Sequence, residues 1–321
     1  MSMTSGTSTS IPIGPQYERD NRFTARMRLH QSWYRAEVLK VGWGTGPGPN
    51  GKRELGSMLL PDDGAGGQNF LTPQILDVAR RRMADKTGTV DEYRLRHNML
   101  SSQPMCFNLF GHLELNLDLA TRTFAALDPD VQRVTCVLME YAPEPAADHL
   151  NDRTAFDAFV AYERRGGGKG FFGIETKLTE KFSQKEYDTP AYRRWLEVPG
   201  APWRLETADE LPRMAHNQLW RNHLLAYSLQ HLSEEYETGT VAVVGHPLDL
   251  ELTQTIAGYR ALLKEPDCLR VWTVADVVEA ASHAVQTDLD RDWLEAFKVR
   301  YLRLDLSEED WRAFQQAGRR R

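Results

Sequence analysis

Residues 156–178 read FDAFVAYERRGGGKGFFGIETKL. Two runs rich in β-branched and aromatic residues, 156–164 and 170–178, flank RGGGKG. This pattern predicts two strands joined by a glycine-rich hairpin. Side chains alternate along a strand, so Glu175 and Lys177 share one face. The loop centres near 167, so pairing the strands returns Asp157 alongside them. A slip of one residue would turn Asp157 to the other face.

Working outward, VTCVLMEYA (134–142), TVAVVGHP (240–247) and CLRVWTV (268–274) read as further strands. Helices are expected over 17–40, 72–83, 101–126 and 214–232, and from a Ser307 cap to Gly318. The order of helix, three strands, helix, strand, helix, strand predicts an α/β core. Antiparallel strands there feed a central mixed sheet of about five strands flanked by helices. An N-terminal helical extension precedes it. The expected division is a disordered tail over 1–16, a helical and loop extension over 17–100, a core over 101–286 and a C-terminal helical extension over 287–321. Gly and Pro crowd 41–69, which reads as a long connection.

The 321 residues are 41% hydrophobic and 26% charged, enough apolar content for a core. A net charge of -6 excludes a basic nucleic-acid coat protein. Three scattered cysteines without CxxC spacing argue against a disulfide scaffold and against structural zinc. With no secretory signal and no apolar run of spanning length, the expectation is a cytoplasmic protein without a membrane partner. The histidines form neither HxH nor HExxH, and no P-loop is present.

Two carboxylates and an ammonium converging on one point suit a hard divalent cation, Mg²⁺ or Mn²⁺, which keeps positions for waters and a phosphate. Such an ion stabilises charge building on the phosphate, and a neighbouring ammonium can orient the attacking water. Glu140 lies in an otherwise apolar strand beside this point. It is preferred over Glu114 as a further acid. Gln218 and Arg221, three apart on a helix, can reach the edge of the site; a solvated helix face is the alternative. Ser102, Gln103 and Asn108 are polar positions in an apolar helix, either supporting the site and touching substrate or bonding helix ends. Arg19, Arg22 and Arg26 recur at i, i+3 and i+7 in a region, 17–54, with eight Lys/Arg against four Asp/Glu. They form a phosphate-contacting stripe or a solvated face. Tyr187, Tyr192 and Trp195 interleave with Lys181, Lys185, Arg193 and Arg194. That stretch either grips a nucleic acid or packs as an ordered loop.

Asp157 followed eighteen residues later by Glu-Thr-Lys at 175–177 resembles the PD-(D/E)XK nuclease superfamily, in a poorly characterised bacterial branch of restriction-endonuclease-like proteins. The resemblance also runs through SSQPMCFNLFG (101–111), LMEYAP (138–143) and QLWRNHLLA (218–226). It implies a restriction-endonuclease-like core and phosphodiester hydrolysis by a Mg²⁺-dependent (or Mn²⁺-dependent) DNA endonuclease of bacterial defence or DNA processing. Asp157, Glu175 and the Thr176 main-chain carbonyl would ligate the metal, and Lys177 would be the catalytic lysine. Phe156 stands where the family name has Pro. Nucleic acid, DNA above all, is the expected partner; a homodimer would set two sites on opposite strands, and a defence-system protein could direct the enzyme. Two rival readings remain. One is a catalytically inactive nuclease fold that binds nucleic acid or a partner. The other is a glycosidase using Glu140 and Glu175, which leaves Lys177 unexplained.

Overall fold

The computed structural model describes residues 11–48, 51–85 and 89–318. In chain order, the described residues form α1 (Arg22–Trp33), β1 (Trp43–Gly48), β2 (Gly51–Leu59), α2 (Pro61–Ala65), α3 (Pro73–Asp85), α4 (Glu92–His97), α5 (Ser102–Leu115) and α6 (Leu117–Leu127). Then come β3 (Val131–Tyr141), β4 (Phe156–Arg164), β5 (Lys169–Lys177), α7 (Pro190–Leu196), α8 (Asn217–Leu232), β6 (Thr238–Gly245), α9 (Leu250–Arg260), β7 (Leu269–Thr273), α10 (Val274–Ala284), α11 (Asp288–Tyr301) and α12 (Glu308–Gly318). The chain divides into two compact units. The smaller takes 1–69, 93–100 and 298–321; the larger takes 70–92 and 101–297.

The larger unit carries a five-stranded sheet in the order β3-β4-β5-β6-β7. β3, β4 and β5 run antiparallel, and β5, β6 and β7 run parallel. Helices make the parallel crossovers: α7 and α8 between β5 and β6, α9 between β6 and β7. The central strands are buried on both faces, which is why they read as nearly unbroken apolar runs. On one face Phe172 stacks with Tyr162 and Phe124 and meets Trp272 edge-on. On the other, Phe159, Phe171 and Val243 share a core with Leu219 and Trp220 of α8. Thr72 accepts from the Ile75 N–H and opens α3 as expected. The helix expected over 101–126 is two: Asn116 leaves helical geometry (φ -134°, ψ 82°) and its side chain caps α6 through the Leu119 N–H.

In the smaller unit the Gly/Pro-rich stretch is a hairpin rather than a bare connection. Its glycines serve close approach. A Cβ on Gly44 would sit 2.2 Å from the Leu59 carbonyl oxygen, and one on Gly56 2.3 Å from that of Ile13. Part of the expected tail, 1–10, lies outside the described residues. Residues 11–16 are tied down: Arg35 donates to the Pro12 and Ile13 carbonyls, and the Gly56 N–H to that of Pro15. The expected first helix starts five residues later than 17, with Asn21 as its cap, and continues from Tyr34 to Leu39 as a π-helix.

Candidate active site

The hairpin closes with Gly167 and Gly168 at φ +92° and +74°, conformations that cost glycine little. Ala158 then pairs with Ile174 and Phe159 with Gly173. One step further along this register, Asp157 falls opposite Glu175. On the other side Met139 pairs with Ala158 and Tyr141 with Phe156, so Glu140 falls opposite Asp157. Glu140 has φ +52°, a left-handed conformation rare for a residue with a Cβ. Three acidic residues therefore occupy neighbouring positions across β3, β4 and β5.

Each is held by named donors. Asp157 Oδ2 accepts from the Thr176 N–H (2.7 Å) and hydroxyl (2.9 Å). Glu175 Oε1 accepts from Gln218 Nε2 (2.6 Å) and lies 2.7 Å from Lys177 Nζ; its Oε2 accepts from Asn222 Nδ2 (2.7 Å). Gln218 Oε1 in turn accepts from Lys177 Nζ (3.3 Å) and the Ser183 N–H (2.7 Å). Lys177 Nζ also sits over the Phe182 ring at 4.9 Å. Glu140 Oε1 accepts from Gln103 Nε2 (2.7 Å), and its Oε2 from the Thr89 hydroxyl (3.1 Å).

The electrostatics follow from crowding. Poor solvation, then the charges of Glu175 and Glu140, hold the Asp157 carboxyl well above the ordinary carboxylate range. Burial likewise raises Glu140, against its hydrogen bonds from Gln103 and Thr89. Burial pushes Lys177 down, but Glu175 and Asp157 outweigh it, and the ammonium is held above its usual value. Burial, then Asp157 and Glu140, drive up the Cys106 thiol, whose sulfur donates to the Asp157 main-chain carbonyl (3.3 Å). Burial and the nearby carboxylates disfavour its thiolate.

These residues fit a hard divalent cation. Asp157 and Glu175 offer carboxylate oxygens where anionic charge is already crowded. Gln103 Oε1 is buried beside Glu140 with no hydrogen-bond partner among the described residues, an acceptor placed for a water of hydration. Among the described residues no group of three or more His, Cys, Asp or Glu is placed to cage an ion unaided. A cation here would draw its remaining ligands from carbonyl, water or phosphate oxygen, the usual condition of Mg²⁺.

Several residues singled out in the sequence lie elsewhere. Glu114 pairs with Arg81 at 3.1 Å. Arg221 donates to Asp152 (3.0 Å), Thr154 (2.6 Å) and the Tyr192 hydroxyl (3.0 Å). The arginine stripe does not form: α1 starts at Arg22, leaving Arg19 in the turn before it. Arg26 is buried, bonded to Ser307 (2.8 Å) and to the Leu304 carbonyl, and stacked on Trp311. Ser307 stands directly before α12, and its hydroxyl accepts from Arg26 and donates to the Leu304 carbonyl. In the 181–195 stretch, Arg193 is bidentate to Asp188, Arg194 binds the Asp148 and His149 carbonyls, and Tyr192 and Trp195 are core. Lys181, Lys185 and Tyr187 of the same stretch are exposed.

Sequence reading missed Asn222, Thr89 and Glu180, and the bonds from the Thr176 N–H and hydroxyl. Asn222 stands four residues after Gln218, one turn along the same helix face, and that spacing is a legible signal. Glu180 accepts from the Ser102 N–H at 2.7 Å, across a separation that leaves no local pattern.

A mixed five-stranded sheet with helices on both faces, and an acid-acid-lysine group where two of its central strands meet, defines a restriction-endonuclease-like α/β protein. The family profile of the PD-(D/E)XK nuclease superfamily matches residues 18–303, and the chain belongs to that superfamily. No curated protein and no solved structure was found to match the chain.

Proposed function

We propose that this protein is a metal-dependent nuclease that hydrolyses phosphodiester bonds, with DNA as its substrate. The observation that carries the reading is the Asp157, Glu175 and Lys177 cluster on β4 and β5. Asp157, Glu175 and the Thr176 carbonyl would hold Mg²⁺ or Mn²⁺. When bound, the ion supplies Lewis-acid stabilisation of charge on the phosphate and acidifies water.

The chain's own residues do the positioning. Gln218 and Asn222 bond both oxygens of Glu175 and fix its carboxylate. The Thr176 N–H and hydroxyl fix Asp157. Lys177, kept protonated by its neighbours, acts as a fixed cation and hydrogen-bond donor toward the attacking water or a phosphate oxygen. Glu140, held by Gln103 and Thr89, adds a third anion at the edge of the acidic group. This arrangement gives Lys177 a role that the glycosidase pairing of Glu140 and Glu175 lacks.

The test is cleavage of labelled single-stranded and double-stranded DNA and RNA with Mg²⁺ or Mn²⁺, beside Lys177→Ala and Asp157→Ala. Metal-dependent cutting by the parent, abolished in both variants, is the expected result. Cutting at the parental rate by either variant would sink the reading.

A further inference from the structure

Beside α8 lies a cavity of about 490 Å³ that the cluster above does not use. One wall is Tyr187, with the Arg221 guanidinium stacked on its ring at 4.6 Å. Leu150, Pro190, Ala191 and the buried Tyr192 make the rest largely apolar. Asn151 and Arg153 stand exposed on its lining.

The segments that line the cavity are hydrogen-bonded to one another. Arg194 and Trp195 clamp the His149 carbonyl (2.7 and 3.1 Å). Asp152 takes the Thr154 N–H (2.8 Å), Arg221 and the Tyr192 hydroxyl. Asn217 holds the Tyr187 carbonyl at 2.8 Å. These bonds satisfy Asp152 and Arg221 internally. The Tyr187 hydroxyl, the Asn151 carboxamide and the Arg153 guanidinium have no partner among the described residues. These groups thus border a mostly apolar cavity with the Tyr187 ring in its wall. That chemistry fits a planar ligand with apolar faces and a polar edge. Gln218, which touches Lys177 and Glu175, and Arg221 stand three residues apart on α8, about 5–6 Å between Cβ atoms.

We propose that this cavity is a subsite for an unpaired nucleobase, and that the substrate is single-stranded nucleic acid. The base stacks on Tyr187, its edge meets Asn151 and the Tyr187 hydroxyl, and Arg153 contacts a flanking phosphate. A base locked in a duplex cannot enter the cavity. The inference rests on the nuclease reading and adds the substrate class.

The experiment uses the full chain carrying Lys177→Ala, without metal, so that binding is read apart from cleavage. Fluorescence anisotropy compares a labelled single strand, the same strand with abasic positions, and a blunt duplex. The single strand should bind about tenfold more tightly than either control. Tyr187→Ala in the same background should remove about tenfold, while Tyr187→Phe keeps most of it. Equal binding of the intact and abasic strands overturns the subsite, as does a Tyr187→Ala protein that binds like its parent. A strand carrying 5-iododeoxyuridine provides a check independent of folding in the variant. Photo-crosslinks should map to 187–192, and adducts found only elsewhere overturn the proposal. Cleavage by the unsubstituted chain with Mg²⁺ is scored separately. Base-dependent binding without cleavage keeps the subsite and removes the nuclease reading; cleavage without base-dependent binding does the reverse.

Discussion

Two clusters, one in each unit, bury charge in opposite ways. In the smaller unit, Arg35 is fully buried and donates to the Gly56 (2.8 Å), Pro12 (2.7 Å) and Ile13 (2.9 Å) carbonyls. Arg300, also fully buried, donates to the Asn69 carbonyl (2.7 Å) and Gln31 Oε1 (3.2 Å) and lies against Tyr34 and Tyr301. A guanidinium has five donors, and the acceptors that meet it here are neutral dipoles of the folded chain. In the larger unit three acidic residues occupy neighbouring strand positions with a single lysine, and their repulsion persists. The contrast separates two uses of buried charge. Charge satisfied by the chain's own dipoles ties distant segments together; charge left crowded and repelling marks a candidate ligand site.

The contrast breaks if the two clusters respond alike to substitution. Lys177→Met removes the one cation of the acidic group. Cleavage should fall by a factor on the order of 10³ with the fold retained, read by single-turnover kinetics and circular dichroism. Arg300→Met should do the opposite. Leaving the Asn69 and Gln31 oxygens without donors should cost about 1–3 kcal/mol for each group left unpaired, read by urea unfolding. A loss below about 1 kcal/mol would show that Arg300 is dispensable to the fold and would dissolve the distinction.

The same contrast explains what the sequence revealed. β4 and β5 were legible to within a residue because both lie at the centre of the sheet, where burial on two faces forces continuous apolar runs and glycines mark the turn. Asp157, Glu175 and Lys177 were legible because they interrupt those runs. β1 and β2 were not: glycines placed for close approach look the same in a sequence as glycines placed for flexibility. Arg26 and Arg221 look like surface cations, since nothing local announces that Ser307 and Leu304, or Asp152 and Thr154, will meet them. Asn222 is legible from its place one turn after Gln218 on the same helix face.

A finer test addresses how the carboxylates are held. Asn222 is the donor to Glu175 Oε2. Asn222→Ala frees that oxygen to rotate, and the Mg²⁺ concentration giving half-maximal cleavage should rise about 10–100-fold. An unchanged Mg²⁺ requirement would mean that Gln218 and Lys177 alone orient Glu175.

The smallest expected effect concerns the repulsion itself. Asp157→Asn keeps an oxygen to accept from Thr176 and removes one negative charge from the acidic group. Asp157 has its folded-state pKa raised above the unfolded value. The stability linked to that proton is therefore fully present below the ordinary aspartate range, near 4. It is lost as pH rises through the raised folded value. At neutral pH the native protein carries the cost of the anion and the Asn variant does not. The variant should be more stable there by about 1 kcal/mol, though inactive. The difference should shrink on acidification, as the wild-type carboxyl takes up its proton. Urea unfolding of both proteins across pH 4–8, without metal, reads it directly. Adding Mg²⁺ should then narrow the gap at neutral pH by stabilising the wild type, because a bound cation relieves the same repulsion. A variant less stable than wild type at neutral pH would mean that Thr176 and Lys177 already compensate the charge. The acidic group would then be a satisfied cluster of the kind that Arg300 represents.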